Sequence, residues 1–296
     1  MGILNSLASI TRHPLTRNAR LATLVRWLRW QVGSRLLPGP VVVPFVNDAS
    51  LIVRPGMTGA TGNVYCGLHE FEDMALVLHA LRSRDLFVDV GANVGSYTIL
   101  GGTAGARCIS IEPIPGTFAW LRKNIAVNGL SEQVQALNIG LGRAEGILRF
   151  TGGLDTVNHV VGADEEAADA VDVPVRTFDA VVGDVEPILI KIDVEGFETE
   201  VIAGAERGLD SPNLLAVVME LNGSGSRYGF DEDALHRTML DRGFESFRYE
   251  PFERRLESLH GARSSGGNTL YVRDAAKLAE RVRTAARFRL GVGVEI

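Results

Sequence analysis

The amino-acid sequence predicts an α/β protein built on a doubly wound, mostly parallel sheet of seven strands with helices on both faces. Three observations support this fold class. Short apolar runs alternate with amphipathic segments after residue 70. Residues 87–98, FVDVGANVGSYT, join an apolar strand to a helix through a glycine-containing turn. The 296-residue chain is 46% hydrophobic and 22% charged, which is typical of one globular domain with additions.

Residues 1–64 form a predicted N-terminal extension of basic helix and short β-hairpin. Apolar residues recur at helical spacing over residues 4–37, and arginines occupy the other face. The apolar stripe contains Leu21, Leu24, Val25 and Leu28, and it is bordered by Trp27 and Trp30. This pattern suits either a helix packed on the domain or a helix lying in the plane of a membrane surface. Residues 41–46 and 51–55 then predict a hairpin across Asn47 and Asp48.

The main domain is predicted over residues 65–273. A helix at residues 71–83 leads into strands at residues 86–90, 107–111, 134–139, 187–192, 214–221, 244–249 and 269–273. Helices are predicted between them at residues 96–104, 116–128, 197–208 and 231–242. A polar, acidic stretch at residues 152–172 interrupts the alternation, and such loops often carry binding function. Residues 274–296 are predicted to form a basic C-terminal helix.

Charge is unevenly distributed along the chain. The net charge is -6, but residues 48–272 alone carry 18 lysines and arginines against 33 acids, about -15. Such a body repels phosphate, so a nucleic-acid partner is not expected. Only Cys66 and Cys108 occur, and the six histidines are scattered, so we predict neither a disulfide framework nor a bound metal. The cysteine content suits a reducing cytoplasm, and no apolar run is long enough to span a bilayer.

The glycine turn predicts a cofactor site. Gly91 and Gly95 allow a sharp turn close to a ligand, and the helix that begins at Ser96 points free amides toward it. Glu112 ends the next strand at the spacing that places a carboxylate on a ribose. Asn93 stands where the dinucleotide fingerprint has its middle glycine, which disfavours a diphosphate.

S-adenosylmethionine (AdoMet) therefore fits better than a dinucleotide. Asp89 could accept from its ammonium group, and the loop amides could meet its carboxylate. An NAD(P)-dependent oxidoreductase is the enzyme alternative, since it shares the sheet and the ribose acid. A membrane-attached module that binds AdoMet without turnover is the non-enzyme alternative.

At these residues the chain resembles the FkbM-type AdoMet-dependent methyltransferases. The resemblance covers residues 65–272, and it rests on FVDVGANVGSYT together with SIEPIPGTFAWLRKNIAVNG, VPVRTFD and LIKIDVEGFETEVIAGA. It implies a Rossmann-like class I methyltransferase fold. It also implies acceptor contacts near Asn158 and His159 and an acid, Glu70, near the cofactor.

The strand ends supply the candidate catalytic residues, because ligands of doubly wound sheets bind there. Asp193 and Glu195 should leave their strand on the same side, and either could accept a proton from an acceptor hydroxyl. Either acid could instead cap the next helix, and Lys191 could be their ion-pair partner. Three further strand-end residues are weaker candidates: Asn138 for the adenine amino group, and Glu220 and Asn222 for the acceptor pocket.

These expectations together predict an AdoMet-dependent O-methyltransferase. The resemblance implies hydroxyls of glycans, glycolipids or polyketides as acceptors. The arginines and tryptophans near the N-terminus favour a lipid-linked glycan acceptor at the inner membrane face, with the protein cytoplasmic or peripherally attached there.

Overall fold

The computed structural model describes residues 3–36, 39–153, 158–162, 165, 167–265 and 267–296, and it describes their side chains except at residues 3–6 and 9. The strands are β1 (Val41–Pro44), β2 (Ser50–Val53), β3 (Leu86–Val90), β4 (Arg107–Ile111), β5 (Val134–Leu137), β6 (Gly140–Leu141), β7 (Gly146–Phe150), β8 (Val171–Arg176), β9 (Leu189–Ile192), β10 (Ala216–Glu220), β11 (Glu245–Glu250), β12 (Arg255–Ser258) and β13 (Asn268–Val272).

The helices are α1 (Ile3–Arg12), α2 (Arg20–Leu36), α3 (Thr58–Cys66), α4 (Phe71–Ala80), α5 (Ser96–Thr103), α6 (Pro115–Val127), α7 (Phe178–Val182), α8 (Glu198–Ala203), α9 (Glu206–Asp210), α10 (Glu232–Asp241) and α11 (Ala275–Arg283). Helices α3 and α7 lie outside the predicted set. The single helix predicted at residues 197–208 is two short helices, α8 and α9.

The central sheet has the order β12-β11-β13-β10-β9-β3-β4-β5. The five strands from β10 to β5 are parallel, and β13 runs antiparallel between β10 and β11. Strands β4 and β5 lie on one side of β3 and strands β9 and β10 on the other, which opens a crevice at the carboxyl ends of β3 and β9. The predicted doubly wound, mostly parallel fold is therefore confirmed.

The strand count differs from the prediction, because the central sheet has eight strands and not seven. The additional strand, β12, forms an antiparallel hairpin with β11. Its sequence, RLES, lacks the apolar alternation that identifies a half-buried strand. A separate three-stranded sheet, β6-β8-β7, which was not predicted, flanks the loop at residues 152–172, since β7 ends at Phe150 and β8 begins at Val171. Residues 154–157, 163, 164 and 166 of that loop lie outside the described residues.

Alternating side chains of β3 supply two cores, one on each face of the sheet. Leu86, Val88 and Val90 pack on the side of α8, α9 and α10. Phe87 packs on the side of α4, α5 and α6, together with Leu51 and other residues of the β1–β2 hairpin. The hairpin prediction is confirmed, since β1 and β2 pair antiparallel. The hairpin belongs to the same core as the main domain.

The two ends of the chain differ from the predictions in detail. Helix α2 docks on the domain, but its predicted apolar stripe faces away from the core, with Leu21 77% and Leu28 56% exposed. The C-terminal helix ends at Arg283 and does not extend over residues 274–296. After it the backbone is non-helical and hydrogen-bonds to the β1–β2 hairpin, where Gly291 donates to the Phe45 carbonyl. No described helix is long and apolar enough to cross a membrane.

Candidate active site

A cavity of about 250 Å³ lies at the carboxyl ends of β3, β4, β9 and β10. Of the predicted site residues, the cavity is lined by Glu70, Gly91, Asn93, Ser96, Glu112, Asn158, Asp193, Glu195 and Glu220. The other five predicted residues, Asp89, Gly95, Asn138, His159 and Asn222, do not line it. The cavity thus lies at the edge of the sheet where the site is predicted, and nine of the fourteen predicted residues line it.

The glycine turn brings two strand ends into close contact. Gly91 has φ of +77°, and a Cβ built on it would lie 1.8 Å from the carbonyl oxygen of Asp193. Gly95 has φ of +96° and packs on Leu121 of α6. Only glycine accommodates both the positive φ and this proximity. Both glycines therefore shape the wall beside the cavity.

The amides of this turn do not have the predicted role. Gly91 and Ala92 donate to the Ile111 carbonyl, Asn93 donates to Glu112, and Gly95 donates to the Ala92 carbonyl. Val94 donates to the Asn93 side chain. The amides of residues 91–95 are thus engaged within the protein, which corrects the prediction that they meet a cofactor carboxylate. The backbone amides in the first turn of α5, which begins at Ser96, could still contact a cofactor carboxylate.

Glu112 lines the cavity from the end of β4. Its Oε2 accepts from the Asn93 amide at 2.9 Å and its Oε1 from the Ile114 amide at 2.9 Å. Burial raises the pKa of this carboxyl to about 7, although the two amides favour the ionised form. Each carboxylate oxygen keeps a second lone pair, so the group can still accept from a pair of ribose hydroxyls.

Asp89 lies behind the cavity wall. It is fully buried, and its Oδ2 accepts from Thr98 Oγ1 at 2.6 Å. The strand register pairs it with Lys191, whose charge opposes the rise that burial causes in the pKa of Asp89. Asp89 thus holds the first turn of α5 against β3, while its Oδ1 is buried without a hydrogen-bond partner among the described residues. The contact with the cofactor's ammonium stays a prediction.

Asn138 and Asn222 both bond to backbone instead of facing the cavity. The Asn138 amide donates to the carbonyls of Glu112 and Pro113, each at 2.8 Å. Asn222 is exposed and accepts from the Ser224 amide at 2.9 Å. Both side chains thus fix strand-end turns. The adenine contact of Asn138 and the acceptor contact of Asn222 stay predictions.

His159 is buried, and its Nε2 lies 3.0 Å from Glu165 Oε1. His159 is not in the cavity lining, while its neighbour Asn158 is. The substrate contact of His159 stays a prediction. Glu70 bonds to Tyr97, whose hydroxyl donates to Glu70 Oε2 at 2.9 Å. The Ser96 hydroxyl accepts from Asn63 of α3 at 3.1 Å.

The acids after β9 and β10 come together as the sequence predicts. Asp193, Glu195 and Glu220 each place a carboxylate oxygen within 4.8 Å of the others. Lys191 Nζ lies 2.9 Å from Asp193 Oδ2, which confirms the predicted ion pair. The three acids are close enough to hold a cation, so the expected absence of a metal stays a prediction.

Helix capping, the alternative role for these acids, is filled by another residue. Glu198 Oε1 accepts from the amides of Val194 at 3.0 Å and Gly196 at 3.3 Å. Asp193 and Glu195 thus remain directed at the cavity. Glu195 has φ of +56°, a left-handed conformation that non-glycine residues adopt mainly where the surrounding structure imposes it.

The environment raises the pKa of Glu220 and of Glu195 by different amounts. Burial, followed by the charges of Asp193 and Glu195, raises the pKa of Glu220 to about 9. Burial and Asp193 raise the pKa of Glu195 to about 7. Burial alone would lower the pKa of Lys191, but the carboxylates of Asp193, Asp89 and Glu70 raise it overall. At neutral pH the site holds a neutral Glu220, a charged Lys191 and a Glu195 near its titration point.

Aromatic residues beside Glu195 are a feature that the sequence analysis missed. The Phe197 ring lies 5.3 Å from that of Tyr228 and 6.2 Å from that of Phe230, measured between centroids. Phe197 lines the cavity. Tyr228 belongs to a 3₁₀ turn, Ser224–Tyr228, that packs against Gly196. Phe197 belongs to the segment LIKIDVEGFETEVIAGA that carries the family resemblance, whereas no local pattern indicated Tyr228 or Phe230.

Residues 89–246, more than half of the chain, match the Methyltransferase FkbM domain. The chain belongs to the FkbM methyltransferase family. The predicted family is thus confirmed, and it removes the nicotinamide oxidoreductase as an alternative.

Two curated relatives resemble this FkbM methyltransferase. Hexuronic acid methyltransferase AglP of Haloferax volcanii is 28% identical over 162 residues, which are 50% of this chain and 61% of AglP. Methyltransferase 1 of Beauveria bassiana is 28% identical over 186 residues, 53% of this chain and 71% of that protein. Among solved structures, the C-terminal domain of precorrin-6Y C5,15-methyltransferase from Rhodobacter capsulatus aligns with 18% identity and a TM-score of 0.39, over 69% of this chain and 88% of that one.

Proposed function

We propose that this protein is an AdoMet-dependent O-methyltransferase that acts on a hydroxyl of a sugar-like acceptor. The observation that carries the proposal is the cluster of Asp193, Glu195 and Glu220 at one side of a cavity whose other side holds Glu112. Binding of a cofactor alone would use Glu112 but does not call for a second cluster of acids in the same cavity.

The described residues fit the cofactor. Glu112 would hold its ribose, and the cavity continues past this carboxylate along Ile114 and Ile139, apolar surfaces suited to an adenine ring. Asp193 and Glu70 would face its positive groups. Glu220 Oε2 is buried without a hydrogen-bond partner among the described residues, which indicates a site that a ligand completes. When bound, AdoMet supplies an activated methyl group on a positively charged sulfur.

Glu195 is the proposed general base. A pKa of about 7 lets its carboxylate accept a proton from the acceptor hydroxyl at neutral pH. Asp193 is held by Lys191, whose Nζ donates to Asp193 Oδ2 at 2.9 Å, so its role is to position Glu195 and the acceptor. Arg227 donates to the Glu195 carbonyl at 2.9 Å and fixes the backbone of the base.

The acceptor class rests on the aromatic residues beside the base. Flat rings such as Phe197, Tyr228 and Phe230 offer apolar faces on which a sugar ring can stack. The name of the relative AglP, a hexuronic acid methyltransferase, supports the same class. A glycan or glycolipid hydroxyl is therefore proposed over a polyketide hydroxyl.

Calorimetric titration with AdoMet, its demethylated product and NAD tests the cofactor directly. We expect both sulfur compounds to bind and NAD not to bind. Binding of NAD alone would reject the proposal. Turnover assays on a panel of sugar acceptors should include EDTA, because Lys191 already supplies the cation beside Asp193 and we expect no loss of activity.

Substitution of the base tests the chemistry. Glu195→Gln should lower turnover about 10²-fold while AdoMet affinity changes less than about three-fold, because only proton transfer is removed. Glu132→Gln, at an exposed acid away from the cavity, is the matched control and should behave as wild type. Wild-type turnover in Glu195→Gln would exclude this residue as the base.

A further inference from the structure

Helix α2 carries an uncovered apolar stripe. Leu21, Val25, Leu28, Val32 and Leu36 are 77%, 40%, 56%, 47% and 74% exposed. Their spacing of three or four residues places all five on one side of the helix. A contiguous exposed apolar surface of this kind marks an interaction site.

The opposite side of the same helix is fixed to the protein. Thr23 is buried, Arg26 Nη2 donates to the Tyr65 carbonyl at 3.2 Å, and Gln31 Nε2 donates to the Tyr65 hydroxyl at 3.1 Å. Trp30 packs against the main core. The stripe therefore points away from a helix that is already docked.

Arginines flank the stripe on both sides. At about 100° per residue, Arg29 and Arg35 lie roughly 60° to either side of the direction of Val32. Both are exposed, as are Arg17 and Arg20 at the start of the helix. No acid occurs before Asp48, so every charged side chain of α2 is basic.

We propose that this face of α2 binds an anionic lipid surface. Lipid headgroups pair with the flanking arginines while the stripe enters the apolar region beneath them. A second copy of the chain would bring the same arginines together with no acid on this segment to offset them. A nucleic acid would leave the leucines and valines in water. This surface is independent of the proposed methyl transfer.

Sedimentation of the full-length protein with vesicles tests the proposal. We expect binding to phosphatidylglycerol–phosphatidylcholine vesicles at low salt, weaker binding at high salt, and little binding to pure phosphatidylcholine. The triple variant Leu21→Ser, Leu28→Ser, Val32→Ser should bind at least about ten-fold more weakly. Arg29→Gln with Arg35→Gln should weaken binding and reduce its salt dependence.

Ile147→Ser is the matched control, since Ile147 of β7 is 71% exposed on another part of the chain. It should bind vesicles as wild type does. All variants should keep the wild-type melting temperature, because the substituted side chains are exposed. Wild-type binding by the triple variant, or no binding of wild type to anionic vesicles, would overturn the proposal. A dimer that the triple variant abolishes, or binding to RNA in place of vesicles, would also overturn it.

Discussion

Glu112 combines a structural role with its proposed binding role. Its two oxygens already satisfy the amides of Asn93 and Ile114, which hold the turns after β3 and β4. A cofactor ribose would therefore meet a carboxylate whose position is fixed before binding. Such preorganisation reduces the entropy that binding must overcome.

Two substitutions separate these roles. Glu112→Gln keeps an acceptor oxygen for one amide but turns an NH2 donor toward the other, so it should weaken AdoMet binding about 10- to 100-fold with a smaller loss of stability than Glu112→Ala. Glu112→Ala leaves two amides without their acceptor and should also lower the melting temperature. Calorimetry and thermal unfolding measure the two effects. Unchanged AdoMet affinity in Glu112→Gln would show that the ribose lies elsewhere.

At the residue scale the sequence predicts the surroundings of acidic side chains better than those of asparagine side chains. Asp193, Glu195 and Glu220 end parallel strands, and the edge of the sheet alone brings them together. Asn138 and Asn222 end strands as well, but their side chains bond to nearby backbone. Such partners depend on the exact path of each turn, which no spacing rule contains.

At the element scale the turn between β3 and α5 depends on the closeness of two strand ends. The Asp193 carbonyl occupies the space that a side chain on Gly91 would need. Neither strand end can shift freely, since β3 is hydrogen-bonded on both sides, to β4 and β9. The shape of this turn and the position of Asp193 are therefore coupled.

Gly91→Ala should be strongly destabilising or prevent folding, because it combines a positive φ with a 1.8 Å overlap. Gly116→Ala, in α6 with nothing within 4 Å of the new Cβ, should be neutral or slightly stabilising. Thermal unfolding and soluble yield compare the two. Equal stability would show that the β3 turn can move away from β9.

Prediction of the elements succeeded where the apolar pattern is strong. Strands β3 and β4 have the predicted bounds because they are continuous apolar runs. Strand β12 was missed because its partner, not its composition, makes it a strand. Strand β8 of the small sheet, VDVPVR, does show the apolar alternation of a half-buried strand, and that signal was missed. For α2 the periodicity identifies the stripe but cannot show which side faces the core, and here the anchoring residues are Arg26, Trp30 and Gln31.

At the scale of the whole molecule, the buried acids link stability to pH. Burial is the leading cause that raises the pKa of Asp73, Glu112, Glu195 and Glu198 to about 7, and that of Glu220 to about 9. The folded state therefore binds protons more tightly than the unfolded chain. The contribution of these protonated acids to the free energy of unfolding is largest below about pH 4.5, and it is lost as pH rises through 7 and then 9.

The ligand-free protein should accordingly melt about 5 °C or more higher at pH 6 than at pH 8.5. Glu220→Gln should flatten the part of this dependence above pH 8, because it removes the group with the highest of these pKa values. Differential scanning calorimetry across this range measures both curves. A melting temperature that rises from pH 6 to pH 8.5 would contradict the assignment.

The raised pKa values of these buried acids also affect ligand binding. AdoMet carries a net positive charge, and a cation placed beside Glu195 and Glu220 lowers the pKa of both. Binding near pH 8 must then release protons to the solvent, whereas the uncharged sulfur of the demethylated product should release fewer. The heat of AdoMet binding should consequently change with the ionisation enthalpy of the buffer. We therefore expect proton release when AdoMet binds and partial proton uptake once the methyl group has left.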